Sequence, residues 1–431
     1  MFAIFEQGTK DYDSALSALS RRGDADLESV TPVVQEILAQ VRTRGDVALK
    51  ELTTRFEKRT LSQIVLPDGE WRASASEVST EVRAMLQAAA DRIRAYHERQ
   101  RDKGFQYEES GITLGMRVRP VRAAGVYAPG GKARYPSSVL MAAVPAHVAG
   151  VKRIVLATPS PTPEVLAAAE IAGVTEVVDL GGAQAIAALA YGTESLARVD
   201  KIVGPGNLYV ACAKRLVFGV VDIDGIAGPS EILVVADDQA DPYVVAADLL
   251  SQAEHDEDAY ALLVTTSRAQ ADAVVREVQE QLVTLPRRAV AEESVRRHAA
   301  CFVTKDLGEA ARVADMLAPE HLALAVRDPE ATLEKIHAVG AAFLGDHTPE
   351  AAGDYAAGPS HVLPTGGAAR FSSPLGVYDF ITRTSVIRYS HDAIMTQGPL
   401  LEAFANLEGL AGHARAVAAR RIRAKRALPD R

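Results

Sequence analysis

Ten histidines are spread along the 431-residue chain, and two of them sit in company that could do chemistry. In Ala318-Pro-Glu320-His321-Leu322, a carboxylate and an imidazole stand side by side on a loop just before an apolar run. Such a pair can divide proton transfer between them, with the imidazole titrating near working pH. In Ser251-Gln-Ala-Glu-His255, Gln252 and His255 are three apart at the end of a helical pattern, which sets both on one face. An imidazole beside an amide oxygen can ligate a metal, although this pair is far less specific than two cysteine pairs. Taken alone, each motif is equally compatible with an ordinary polar surface. The other histidines have plainer readings. His361, in Gly358-Pro-Ser-His361, braces a loop; His97 and His298 sit among charges on helices; His147 and His337 are ordinary partly buried residues.

Three glycine-rich loops follow predicted strands, where α/β folds bind ligands: Tyr127-Ala-Pro-Gly-Gly-Lys132, Gly181-Gly-Ala-Gln184 and Gly204-Pro-Gly-Asn207. The last opens a helix directly after Lys201-Ile-Val203, so its backbone N–H groups could face an anion such as a pyrophosphate. None fits the G-x-G-x-x-G fingerprint, and Gly130-Gly131-Lys132 is followed by alanine, so it is not a P-loop. Turn glycines in an α/β scaffold remain the other reading.

The elements that must position these groups change character along the chain. The first third reads as helix. Thr31-Pro32 predicts an N-cap and a first helical position, Val34, Ile37, Leu38 and Val41 repeat at helical spacing, and Gly45 closes the segment. A charged helix is expected over about Glu77 to Lys103. From about residue 120, short apolar runs alternate with amphipathic helices. The runs include 154–157, 177–178, 201–203, 232–235, 262–264, 302–303, 322–326 and 341–344. This order predicts two α/β domains with parallel sheets covered on both faces and a seam near residue 230. After about Pro374 a short β-like segment, Thr384 to Arg388, precedes helices.

The length exceeds what one hydrophobic core serves, so two or three domains are expected. A net charge of −9 argues against a nucleic-acid partner, which would need a basic face. The basic run from Arg415 to Lys425 reads as a solvated helix face. Two distant cysteines make no disulfide framework, and the N-terminus carries acids where a signal peptide would carry lysine or arginine. The apolar stretch from Val139 to Leu156 is broken by Pro145, His147 and Lys152-Arg153, so no membrane span is expected. The reading is a cytoplasmic protein.

The stretch Ile223-Asp-Gly-Ile-Ala-Gly-Pro-Ser-Glu-Ile-Leu-Val-Val-Ala236, continuing through Asp248-Leu-Leu-Ser-Gln-Ala-Glu-His255, resembles the signature of histidinol dehydrogenases. Further matches extend over nearly the whole chain: Tyr127-Ala-Pro-Gly-Gly, Gly204-Pro-Gly-Asn, Ala318-Pro-Glu-His-Leu, Gly358-Pro-Ser-His-Val-Leu-Pro-Thr-Gly-Gly and Glu408-Gly-Leu-Ala-Gly-His413. The resemblance implies an NAD-dependent oxidation of L-histidinol through L-histidinal to L-histidine, the last step of histidine biosynthesis. It implies Glu320 and His321 as the catalytic pair, and Tyr127, Gln184 and Asn207 as residues lining the NAD site. One zinc ion per subunit would be held by Gln252, His255, Asp354 and a His413 arriving from the partner subunit of a homodimer with shared active sites. Ser230, Gln252, His255, His321, Asp354, Glu408 and His413 would contact histidinol.

In fold, the resemblance implies two Rossmann-like domains in an aldehyde-dehydrogenase-like architecture. A mainly helical N-terminal region (1–122) would pack on the second α/β domain. The NAD-binding domain would span 123–231, the second α/β domain 232–375, and a tail reaching the partner 376–431. Other activities fit less of the sequence. A covalent aldehyde dehydrogenase needs a reactive cysteine, whereas Cys212 and Cys301 read as small core residues. A zinc hydrolase would leave the three loops and the Glu320-His321 pair idle; a non-catalytic metabolite binder is the remaining option, which absence of any NAD reduction would favour. A zinc and NAD dehydrogenase of another small amino alcohol or diol is the main alternative.

Overall fold

The computed structural model describes residues 2–22, 27–130 and 135–426, so Gly131 and Lys132 of the first glycine loop lie outside the described residues. The strands, in chain order, are β1 (Ala3–Glu6), β2 (Phe105–Glu109), β3 (Ile112–Pro120), β4 (Ala123–Tyr127), β5 (Arg153–Ala157), β6 (Glu176–Val178) and β7 (Lys201–Val203). They continue with β8 (Asp222–Ile223), β9 (Glu231–Ala236), β10 (Tyr260–Thr265), β11 (Ala300–Val303), β12 (His321–Ala325), β13 (Ala341–Leu344) and β14 (Ile381–Tyr389). Two compact units form: residues 1–100 with 121–380, and residues 101–120 with 381–431.

The first unit contains two parallel sheets, one ordered β6-β5-β4-β7-β8 and the other β1-β11-β10-β9-β12-β13. Every residue of β4 and β9 is buried, which is why 232–235 of β9 reads as an unbroken apolar run rather than an alternating one. Alternate side chains serve opposite faces. Tyr127, Val155, Ala157 and Ile202 pack with the Leu27–Glu57, Gly182–Tyr191 and Leu208–Val217 helices. Val126, Ile154, Leu156 and Val203 pack with the Thr80–His97, Pro136–Ala149 and Pro163–Ala172 helices. In the other sheet, Ile232, Val234 and Leu263 face the Pro242–Ala253 and Arg268–Leu282 helices. Leu233, Val235 and Leu262 face Lys10–Leu19 and Leu307–Leu317.

The N-terminal third departs from expectation in two ways. Only β1, paired in register with β11, and the Lys10–Leu19 helix join the second sheet. The Leu27–Glu57, Asp68–Ala75 and Thr80–His97 helices cover the first sheet instead, because Val34, Leu38, Val41 and Leu49 fit against the alanine-rich face of the Gly182–Tyr191 helix. The helix also begins before Thr31, at Leu27, and the Thr31 hydroxyl donates back to the Leu27 carbonyl at 2.6 Å rather than capping. Gly45, at φ 50°, breaks the rod, and the Glu194 carboxylate accepts from the Asp46 N–H at 2.8 Å where the second segment starts.

In the second unit, β14-β3-β2 form an antiparallel sheet. The sequence reading identified part of β14 and missed the β2-β3 hairpin. Its Ser110-Gly111 turn, with φ of 51° and 76°, is a two-residue hairpin signal, and Ile112, Leu114, Met116 and Val118 alternate after it at strand spacing, although every residue of β2 is exposed. The His391–Leu407 and Ala411–Arg426 helices pack on each other, and Arg421 pairs with Glu402 at 2.7 Å.

Gly204 combines φ 117° with a Cβ position that would overlap the Tyr127 carbonyl, whereas Gly219 has φ 98° and open space around it. Gly204→Ala should cost roughly 2–5 kcal/mol from strain and overlap together. Gly219→Ala should cost about 1–3 kcal/mol from strain alone. Chemical denaturation of the two variants checks the order, and equal losses would contradict it.

Candidate active site

The two sheets of the first unit present opposite edges to one cleft. Tyr127 ends β4, Gly181–Gln184 follows β6, and Gly204–Asn207 follows β7, so the first sheet offers its C-terminal edge. Glu231 begins β9 and His321 begins β12, so the second sheet offers its N-terminal edge. The cleft, about 2540 Å³, is lined by Tyr127, Gln184, Asn207, Ser230, Gln252, His255, Glu320, His321, Asp354 and His361.

On the first edge, the Tyr127 hydroxyl accepts from the Gly182 N–H at 3.0 Å. The Glu57 carboxylate accepts from the Gly181 N–H at 3.3 Å and from the Gln184 amide at 3.2 Å. Asn207 caps the Leu208–Val217 helix, its Oδ1 accepting from the Val210 N–H at 3.2 Å. The Gly204 loop is tied down by the Asp224 carboxylate, which accepts from the Gly204 N–H at 2.7 Å and pairs with the buried Lys214. The Gly181 and Gly204 loops are therefore held in place by the chain's own side chains.

On the second edge, His321 Nδ1 lies 3.0 Å from the Glu231 carbonyl oxygen. A carbonyl can only accept, so Nδ1 carries the proton and Nε2 keeps its lone pair. Burial pushes the imidazole down to about 4, so it stays neutral at ordinary pH. The Glu320 carboxylate accepts from the Glu231 N–H at 2.9 Å. Burial first, then the Glu231 charge, hold the Glu320 carboxyl well above the usual range, which makes its ionised form a stronger base than an exposed glutamate. One residue's backbone thus orients both members of the pair. Glu350 lies 3.6 Å from His321 Nδ1, and burial raises its carboxyl as well.

Gln252 is fully buried, and neither its amide oxygen nor its nitrogen has a hydrogen-bond partner among the described residues. Each unmet buried polar group costs about 1–3 kcal/mol, so the amide points to a partner that the described residues do not supply. His255 lies just beyond the end of the Pro242–Ala253 helix, in a turn closed by its N–H on the Gln252 carbonyl at 3.1 Å. Asp354 sits on the Glu350–Tyr355 helix, 3.8 Å from His361 Nδ1. Among the described residues no three His, Cys, Asp or Glu side chains converge to hold a metal. The amide, imidazole and carboxylate of Gln252, His255 and Asp354 nevertheless fit an N/O-ligated divalent ion that takes a further ligand from elsewhere. Glu408 and His413 belong to the second unit, where both are exposed.

Sequence reasoning missed Glu231, Glu350 and Arg22, and read His361 as a loop brace although it lines the cleft. His97, read as a helix residue among charges, is buried, its Nδ1 2.8 Å from the Gln100 amide oxygen. Both cysteines are buried, and burial pushes the Cys301 thiol up to about 12, which leaves it no nucleophile.

A family model described as histidinol dehydrogenase matches residues 20–421. Similar proteins include the histidinol dehydrogenase of Syntrophotalea carbinolica, 50% identical over 427 residues, covering 97% of this chain and 99% of that one. That of Aquifex aeolicus is 51% identical over 408 residues, covering 94% and 96%. The crystal structure of histidinol dehydrogenase from Elizabethkingia anophelis matches with a TM-score of 0.91 at 35% identity, covering 97% and 98%.

A base held at about 4 is protonated only below that pH. The acid limb of the pH–rate profile, measured with Zn²⁺ saturating, should therefore fall well below the value of about 6.5 for free histidine. A limb at 6.5 or above would contradict a buried neutral base.

Proposed function

We propose that this chain, which belongs to the histidinol dehydrogenase family, oxidises L-histidinol through L-histidinal to L-histidine, the last step of histidine biosynthesis. The observation that carries this reading is the single cleft onto which the three glycine loops, the unpartnered Gln252 amide and the Glu320-His321 pair all open. Two NAD molecules, bound in turn against Tyr127, Gln184 and Asn207, would each accept a hydride. Gln252, His255, Asp354 and the partner's His413 would hold one zinc ion, which orients the substrate through its imidazole and amino groups.

The chain's own groups account for the proton traffic. His321 Nε2 takes the hydroxyl proton of histidinol as the first hydride leaves. Glu320 then takes a proton from the water that adds to the aldehyde carbon. His321, having released its first proton, takes the remaining hydroxyl proton of the resulting gem-diolate as the second hydride leaves, and the carboxylate forms. Ser230, at the mouth of β9, and the partner's Glu408 would complete the substrate contacts.

A homodimer follows from the same reading. Leu400, Phe404 and Leu407 of the second unit are exposed in one chain, which favours a second copy covering them. No helix among the described residues is long and apolar enough to cross a membrane, in keeping with a cytoplasmic enzyme.

Two NADH should form per histidinol consumed; one would indicate a simple alcohol dehydrogenase, and none a hydrolase or a binder. Glu320→Gln should slow conversion of histidinal more than that of histidinol, since only the former consumes water. His321→Asn should slow both by about 10²–10⁴-fold. Equal losses in both halves for Glu320→Gln would refute the division of labour.

The shared site has its own test. When inactive His255→Ala and His413→Ala subunits are mixed and allowed to exchange, half the dimers are hybrids, each with one intact site. Roughly a quarter of wild-type activity should return, the arithmetic of a two-fold dimer. No recovery despite demonstrated exchange would mean that His413 acts within its own chain.

A further inference from the structure

We propose that Arg22 is a positioning residue for Glu320 and His321, acting through the side chain of Glu231 and the carbonyl of Leu317. The inference rests on the roles given above to that pair. Arg22 follows the Lys10–Leu19 helix, over two hundred residues before β9, yet its guanidinium is buried against Glu231 with side-chain exposures of 2% and 1%. Its Nε donates to Glu231 Oε2 at 2.9 Å, and one terminal nitrogen meets the same oxygen. That nitrogen also donates to the Leu317 carbonyl at 2.8 Å, and the other donates to Leu19 at 3.0 Å. The remaining Glu231 oxygen takes the Gly366 N–H.

Both anchored points lead directly to the reacting groups. The backbone of Glu231 supplies the N–H held by Glu320 and the carbonyl that receives the His321 proton. Leu317 ends its helix three residues before Glu320, and the chain turns there through Ala318 at φ 45°. Neither Arg22 nor Glu231 lines the cleft, so neither is catalytic. A buried ion pair adds little net stability, because desolvating two charges offsets their attraction. Its yield is a fixed geometry. The planar fork holds the start of β9 and the approach to β12 at one spacing, which a point-charge lysine does not reproduce.

The test uses full-length, zinc-loaded Arg22→Ala and Arg22→Lys beside wild type. Kinetics are measured with both substrates, and hydrogen–deuterium exchange is followed along the chain. Arg22→Ala should lose about 10²-fold in kcat, the size of a misplacement of about 1 Å, with KM for NAD nearly unchanged. Arg22→Lys should lose less, and millimolar guanidinium should restore part of the alanine variant's kcat while leaving wild type unaffected. Exchange should quicken at 231–232 and 320–321 while β4, β5 and β7 keep wild-type protection. A folded Arg22→Ala protein with wild-type kcat and unaltered exchange at those segments would overturn the proposal, whatever its melting temperature. If the alanine variant does not fold, the lysine variant carries the same two readouts. Should wild type itself fail to oxidise histidinol, the functional reading falls, and the exchange comparison still decides whether Arg22 holds the pair.

Discussion

The Glu231 carboxylate and the Arg22 guanidinium leave water together at the first residue of β9. Isolated, either charge would be costly in that position; paired, and with the Gly366 N–H added, they hold the strand's beginning in place. The backbone of Glu231 is then not free to turn. Its N–H faces Glu320 and its carbonyl faces His321, so acid and imidazole inherit their orientation from a residue that takes no proton itself. β12 lies beside β9 in parallel register, His321 against Ile232, which brings the pair level with that anchored edge.

The site also depends on two sheets being used in opposite senses. In parallel α/β sheets, ligands gather at the C-terminal edge, where loops and helix N-termini supply N–H groups. The first sheet follows this rule with its three glycine loops. The second offers its N-terminal edge, so the proton-transfer groups come from a loop entering a strand. Burial on that side pushes the acids up and the imidazole down. The shifts oppose charge on any of them in the absence of ligand, and they suit a site in which protons pass between near-neutral partners.

Much of this was legible in the sequence. The parallel strands stood out because burial on both faces makes 232–235 of β9 and 262–264 of β10 continuous apolar runs. Tyr127, Gln184, Asn207, Gln252, His255, Glu320 and His321, which the motifs carry, and Asp354, which the resemblance implies, all line one cleft. The destination of the N-terminal helices was not legible, since an amphipathic face says that it is covered and not by what. The β2-β3 hairpin escaped although its signal was present: Ile112, Leu114, Met116 and Val118 alternate with other residues after the Ser110-Gly111 turn. Arg22 and Glu231 escaped for a deeper reason. Their meaning lies in a contact across more than two hundred residues, and in the sequence each is one charge among many.

The central claim, that the anchored Glu231 carbonyl fixes His321 as a neutral base with Nε2 open to the cleft, can be observed directly. ¹⁵N spectra of histidine-labelled protein at neutral pH, with His321 assigned by comparison with His321→Asn, report which ring nitrogen carries the proton. The account predicts a slowly exchanging proton on Nδ1 and an unprotonated Nε2. An imidazolium at neutral pH, or the proton on Nε2, would contradict it.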